Sequence, residues 1–258
     1  MMMNHQSPRR VRAASWPLAS VLGVLAIAAP LTFATGCGLI NSDLAKVSFD
    51  LPPKTYTFDT GQADWNASMT SAFAMVPTIA CGTNADCCPL AISAAGIDCS
   101  MLICDPASAA CAFAVVVQSP PQMIDLKNEA QIPSSLSNQS AIDISVNKLT
   151  YDVNQNSLNV DLPPVDLYVG PQGSTKVSDP GVVKFATVPS IPHATTLTNG
   201  NIPLDAAANS VFSNIGMHLG TPFVFLAQTR VVIPGGTPPP SGALTLTIKG
   251  QLSAKPNL

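Results

Sequence analysis

The chain has 258 residues, of which 47% are hydrophobic types and only 10% are charged, and its formal net charge is -3. A sequence this acidic and this poor in charge disfavours nucleic acid and anionic lipid as direct ligands. Its 24 prolines and 16 glycines exclude a helix bundle and predict many turns and edge strands.

The first 36 residues carry the three-part pattern of an export leader. Arg9, Arg10 and Arg12 make a basic start, residues 16–33 an apolar run, and Ala34, Thr35 and Gly36 a small-residue cleavage region. Pro30 interrupts the apolar run, whose length approaches the roughly 20 residues of a membrane span. Removing this leader takes away the three arginines and changes the formal charge of the remainder from -3 to -6.

Ala34-Thr35-Gly36-Cys37 resembles the lipobox of bacterial lipoproteins, in which a peptidase cuts before a cysteine already carrying diacylglycerol. Ala34 stands where leucine is commoner in that motif. The resemblance implies a signal peptide over 1–36, acylation of Cys37 by palmitate-type chains, and attachment to a membrane through that lipid. Gly38 replaces the aspartate that in enteric bacteria favours inner-membrane retention, which by the same resemblance implies an outer-membrane address in the cell envelope. Each buried CH₂ contributes about 0.8 kcal/mol, so several acyl chains hold a soluble domain on a bilayer without a span. Residues 37–45 are then a membrane-proximal tether, and 46–258 a single β-rich domain.

Residues 46–51 and 55–59 alternate apolar and polar types through Val47, Phe49, Tyr56 and Phe58, on either side of Pro52-Pro53. This predicts strands with one wet and one dry face. A cysteine-rich module follows at 81–111. With Cys37 set aside, Cys81, Cys87, Cys88, Cys99, Cys104 and Cys111 form an even set, expected in an oxidising compartment to make three disulfides. A bond between adjacent Cys87 and Cys88 is disfavoured, and spacing leaves the connectivity open. The module lacks the paired C-x₂-C spacing and the histidines of a zinc knuckle, and it has no Cys-x-x-Cys redox motif. The apolar run 112–117 predicts a buried strand that ties the module's exit to the core.

Ile142, Ile144 and Val146 alternate in one phase, and Leu149, Tyr151 and Val153 in the other, so Asn147-Lys148 predicts a bulge or bend. Further strands are expected through Leu158, Val160 and Leu162, and through Val165, Leu167 and Val169. Leu204, Ala207, Ala208, Val211, Phe212 and Ile215 fall at helical spacing before Gly216 and Gly220, which predicts one short helix packed on a sheet or plugging a sandwich end. Residues 223–233 and 243–252 predict a hairpin across the proline loop 234–242. Asp-Leu-Pro-Pro occurs at both 50–53 and 161–164 and predicts repeated corner geometry. The fold expected is all-β: a β-sandwich with one short helix and a small disulfide-rich insertion.

Chemistry-bearing motifs are sparse. His193 and His218 have no H-E-x-x-H context and no acidic neighbour in sequence, no G-x-S-x-G elbow surrounds a serine, and Gly235-Gly236 sits among prolines without a lysine. Asp161 and Asp166 flank Pro163-Pro164 as a possible carboxylate couple. Asp143, Asp152, Asp161 and Asp166 are the carboxylates that a calcium site between strands would draw on, although no EF-hand order is present. No cofactor, metal or catalytic residue is therefore expected. The leading expectation is a noncatalytic cell-envelope lipoprotein whose β-domain supports or binds an envelope protein. The alternative is a lipid-anchored carbohydrate-binding protein or hydrolase, its ligand contacts drawn from Trp65, Asp161 and Asp166 and its stacking platform from Trp65, Tyr56, Tyr151 and Tyr168.

Overall fold

Two antiparallel sheets face one another across an apolar core. The computed structural model describes residues 46–61, 79–88, 99–129, 132, 142–218, 220–238 and 240–256. The leader, Cys37, the tether and Trp65 lie outside these residues. Asn41–Leu258 form one compact unit. Its strands in chain order are β1 (Val47–Asp59), β2 (Leu102–Asp105), β3 (Ala110–Gln118), β4 (Gln122–Ile124), β5 (Ile142–Asn156), β6 (Val165–Pro171), β7 (Val183–Val188), β8 (Leu197–Asn201), β9 (Phe223–Pro234) and β10 (Ala243–Pro256). Two helices, α1 (Leu126–Glu129) and α2 (Ala208–Met217), accompany them.

The first sheet has the order β1-β10-β5-β8, and the second β2-β3-β9-β6-β7 with β4 also pairing β9. Between them lies a core that includes Phe49, Leu51 and Tyr56 of β1, Leu149, Tyr151 and Val153 of β5, Val165, Leu167 and Val169 of β6, and Phe223 and Phe225 of β9. Fully burying one such side chain contributes about 1.5–3 kcal/mol, which is why the alternating residues turn inward. The chain is thus a β-sandwich with a disulfide-rich insertion.

The phase change in β5 is a bulge. Lys148 pairs with Gln251 and Val146 with Leu252, so Asn147 has no partner of its own. This extra residue turns both apolar triplets, Ile142-Ile144-Val146 and Leu149-Tyr151-Val153, toward one core. On β1, Leu51 pairs with Gly250 and Lys54 with Ile248, leaving Pro52-Pro53 opposite Lys249 alone. The strand runs on through the prolines because β1 is an edge, where an absent N–H costs nothing on the open side.

Three expectations about the strands require correction. Residues 158–162 do not form a strand; only Leu162 makes an isolated bridge, to Ile191. This segment is the passage from β5 in the first sheet to β6 in the second. The two Asp-Leu-Pro-Pro sequences therefore have different geometry: one is a bulge within an edge strand and the other a change of sheet. Nor do β9 and β10 form a hairpin, because they belong to opposite sheets. β10 has its own partners in β1 and β5, and the proline loop carries the chain across the sandwich.

The predicted helix is α2, with Ala208, Phe212 and Gly216 buried along one side. Phe212 meets Phe185 edge-on with ring centroids 5.5 Å apart, and Phe225 at 6.2 Å. Gly216 lies inside the helix instead of ending it. A Cβ there would stand 2.2 Å from the Ile142 carbonyl oxygen, so glycine permits the close approach of α2 to β5. The helix thereby closes one end of the sandwich, touching β5 of the first sheet and the phenylalanines of β7 and β9 in the second.

Candidate functional site: the disulfide module and the carboxylate crossover

The six module cysteines pair as Cys81–Cys104, Cys87–Cys111 and Cys88–Cys99. Cys104 and Cys111 are directly opposed across β2 and β3. Each is joined to a different point of the segment 79–88, so one cross-strand pair anchors two bridges. The backbone reinforces them: Cys111 N–H donates to Ile79 O at 2.9 Å, and Cys81 N–H to Ala109 O at 3.0 Å. Asp86 stabilises the same turn, accepting N–H bonds from Gly82 at 2.9 Å and Thr83 at 2.7 Å. Those donors hold its carboxyl below the usual range.

Cys87 and Cys111 are fully buried beside Leu102, Phe113, Val231 and Ile233 in a second apolar cluster. The Sγ atoms of Cys81, Cys87 and Cys111 lie within 4.8 Å of one another. Their proximity reflects two neighbouring disulfides, and a sulfur committed to a disulfide offers no thiolate to a metal. Within the exit strand, Ala112, Phe113 and Ala114 are buried as expected, whereas Val116 is 57% exposed.

Asp161 and Asp166 do not form a couple, because different side chains hold them, His193 the first and Lys184 the second. Asp161 Oδ1 accepts the His193 backbone N–H at 2.8 Å and meets His193 Nδ1 at 2.7 Å. The backbone donor first, and the ring second, draw its carboxyl below the ordinary value. His193, which sequence leaves without an acidic neighbour, thus gains one through folding. Asp166 pairs with Lys184 at 2.8 Å and accepts the Thr187 hydroxyl at 2.9 Å. Its carboxylate raises the Lys184 ammonium above the usual lysine value.

The other carboxylates considered for calcium are likewise dispersed. Asp143 pairs with Lys255 at 3.3 Å and accepts from Ser213, while Asp152 pairs with Lys249 and accepts the Asn199 N–H at 2.8 Å. The Asn199 donor, and then Lys249, lower the Asp152 carboxyl. All four acids therefore have separate partners, three of them lysines and the fourth His193, and do not converge on one ion.

Around Asp161, three loops are clasped together. Asn156 Nδ2 donates to Pro192 O at 2.8 Å and Thr195 O at 3.2 Å, joining the end of β5 to the His193 loop. Asn159 N–H donates to Ser241 O at 3.1 Å while its Oδ1 accepts Ser241 N–H at 2.7 Å, joining the crossover to the proline loop. Gly242, at φ +102°, allows this contact: a Cβ there would stand 2.2 Å from Ser157 O. The His–Asp pair closes this clasp, and among the described residues no serine or cysteine sulfur or hydroxyl is bonded to the His193 ring.

The proposed aromatic platform is also dispersed. Tyr56 and Tyr151 are buried in the core, at 7% and 5% exposure, and burial raises both phenol pKa values. Tyr168 is half-buried on β6. A cleft of about 230 Å³ does open between the sheets, with Tyr56, Phe58, Val117, Leu162 and Leu246 among its walls. Among its polar neighbours, Gln118 bonds Thr175 O and Val177 N–H, Thr229 bonds Pro164 O, and Asp59 Oδ1 accepts the Gly61 N–H at 2.8 Å. The cleft is thus a largely apolar opening with one carboxylate, Asp59, in its wall.

No protein-family model matches the chain, and no curated protein matches it. A solved structure titled Desmodium yellow mottle tymovirus is 11% identical over 98% of this chain and 97% of that one, with a TM-score of 0.19. A likeness of that size carries no argument about fold or function.

Proposed function

We propose that this is an exported, noncatalytic lipoprotein of the cell envelope, held on a membrane, and by the lipobox resemblance the outer membrane, through lipid on Cys37. Its β-sandwich presents a rigid surface to another envelope component. The observation that carries the reading is the use of the cysteines: six of the seven are engaged in three disulfides, and Cys37 is the one left over. Disulfides persist in exported proteins, and the lipobox-like setting of Cys37 provides the remaining cysteine with a role. The noncatalytic part is supported by the separate structural partners of Asp143, Asp152, Asp161 and Asp166. Among the described residues no helix is long and apolar enough to cross a membrane.

The test is mass analysis, without reduction, of proteolytic fragments from protein isolated from its native envelope. The expected result is acylated Cys37 at a new N-terminus, together with fragments joined by the three observed disulfides. Unmodified Cys37 or an intact leader overturns the address. Saturable binding to a cell-wall glycan that disappears in Trp65→Ala moves the function to carbohydrate recognition instead.

A further inference from the structure

At the end closed by α2, the helix does not fill the sandwich mouth completely. Phe212 occupies the interior, but Val211 and Ile215 on the helix flank face Val169, Val183 and Phe223 across a groove of about 320 Å³. This lies within the size range of small-molecule sites. Gly170 and Gly181 also line it. Val183 pairs with core residue Val169, yet is 40% exposed because the groove lies over it.

Among the described residues the polar lining consists of Asn214, His218 and Thr221, with no Asp, Glu, Lys or Arg. His218 Nδ1 lies 3.1 Å from the Asn214 carbonyl oxygen. A carbonyl only accepts, so Nδ1 carries the hydrogen and Nε2 is left for a ligand. In a neutral ring Nε2 accepts a hydrogen bond from a protonated carboxyl, and in a charged ring it donates one to a carboxylate. A carboxyl head suits both states. Phosphate would find none of the guanidinium or ammonium groups that recognise it, and the missing carboxylates remove repulsion in an otherwise acidic chain.

We infer that this groove binds a single-chain aliphatic carboxylic acid, its chain along Val183, Val211 and Ile215 and its head at His218. The site is independent of lipid on Cys37. The hydrogen bond from head to ring and burial of the chain together recognise an amphiphile, and either alone is weaker.

The test uses the full chain in lipid nanodiscs and a decanoic acid carrying a photoreactive group near its methyl end. Peptide mass analysis should locate labelling at the groove, and excess decanoate should suppress it. Val183→Trp fills the exposed side of the groove and should reduce labelling about tenfold while the circular dichroism spectrum and unfolding midpoint stay unchanged. His218→Phe should weaken competition by decanoate but leave competition by its methyl ester unchanged, which separates head recognition from general lipid adhesion. Labelling spread outside the groove, labelling unchanged by Val183→Trp in a folded protein, or equal loss of acid and ester competition in His218→Phe overturns the inference. Acylation of Cys37 is measured separately, so failure here leaves the proposed address intact.

Discussion

Gly242 connects residue chemistry to sandwich closure. Its positive φ and its contact with Ser157 O leave no space for a side chain, so Gly242→Ala combines backbone strain with a clash at the meeting of two crossover loops. The expected loss is about 3 kcal/mol, read from the urea midpoint with an unchanged slope. Carboxylates set the acid limit in a related way. Asp86, Asp105 and Asp179 sit below their ordinary value of 3.8, Asp86 and Asp179 chiefly because backbone N–H groups bond the charged form and Asp105 chiefly because the Ser108 hydroxyl does. A carboxyl lowered by folding stabilises the fold above its unfolded value and loses that contribution as pH falls through the folded one. Thermal midpoints should therefore hold from neutral pH to about 5 and fall below about 4. Asp86→Asn and Asp179→Asn together should flatten that acid limb; an unchanged limb would place the sensitivity elsewhere.

The elements are held in place by different devices. In α2, Phe212 is fully buried against Phe185 and Phe225 at the junction of helix and second sheet. Phe212→Ala should cost about 3–5 kcal/mol, because the helix cannot collapse into the space without moving Gly216 from β5. Chemical denaturation measures this directly. β5 depends on Asn147 as a spacer. Deleting it sends one of the two apolar triplets to the outer face, and the expected outcome is loss of a cooperative unfolding transition. Asn147→Ser keeps the spacer and should keep that transition, although it removes the bond from Ser253 Oγ to Asn147 Oδ1.

Across the whole molecule, the disulfides fasten a module whose apolar content is small to a sheet that has its own core. Cys87–Cys111 closes a separation of 24 residues and is buried against Phe113, Val231 and Ile233. Replacing both cysteines by alanine should cost about 3 kcal/mol or more in global stability. Hydrogen exchange should then rise first over 79–88 and 102–113, while β5 and β10 remain protected because their pairing lies in the other sheet. Simultaneous loss of protection in both sheets would show that the module is indispensable to the sandwich.

Period-two alternation, paired prolines and cysteine parity are local signals, and what depends on them was legible in the residues alone: an all-β sandwich, a bulge at Asn147, the helix α2 and six cysteines paired in three disulfides, though not the one-turn helix α1. Strand β8, Leu-Thr-Asn-Gly-Asn, has no such signal; it pairs as an edge because β5 offers a free side and Gly200 lies against the Tyr151 ring. The His193–Asp161 and Lys184–Asp166 pairs span 32 and 18 positions, the second across neighbouring strands, and no spacing rule reaches across a turn of unknown path. The same holds for the β9–β10 connection, where pattern supplied two strands and a loop, but competition for partners decided which sheet each joined. Tertiary structure alone chose the disulfide partners and opened the groove beneath α2, since both depend on how separate segments share space and not on what any one segment prefers.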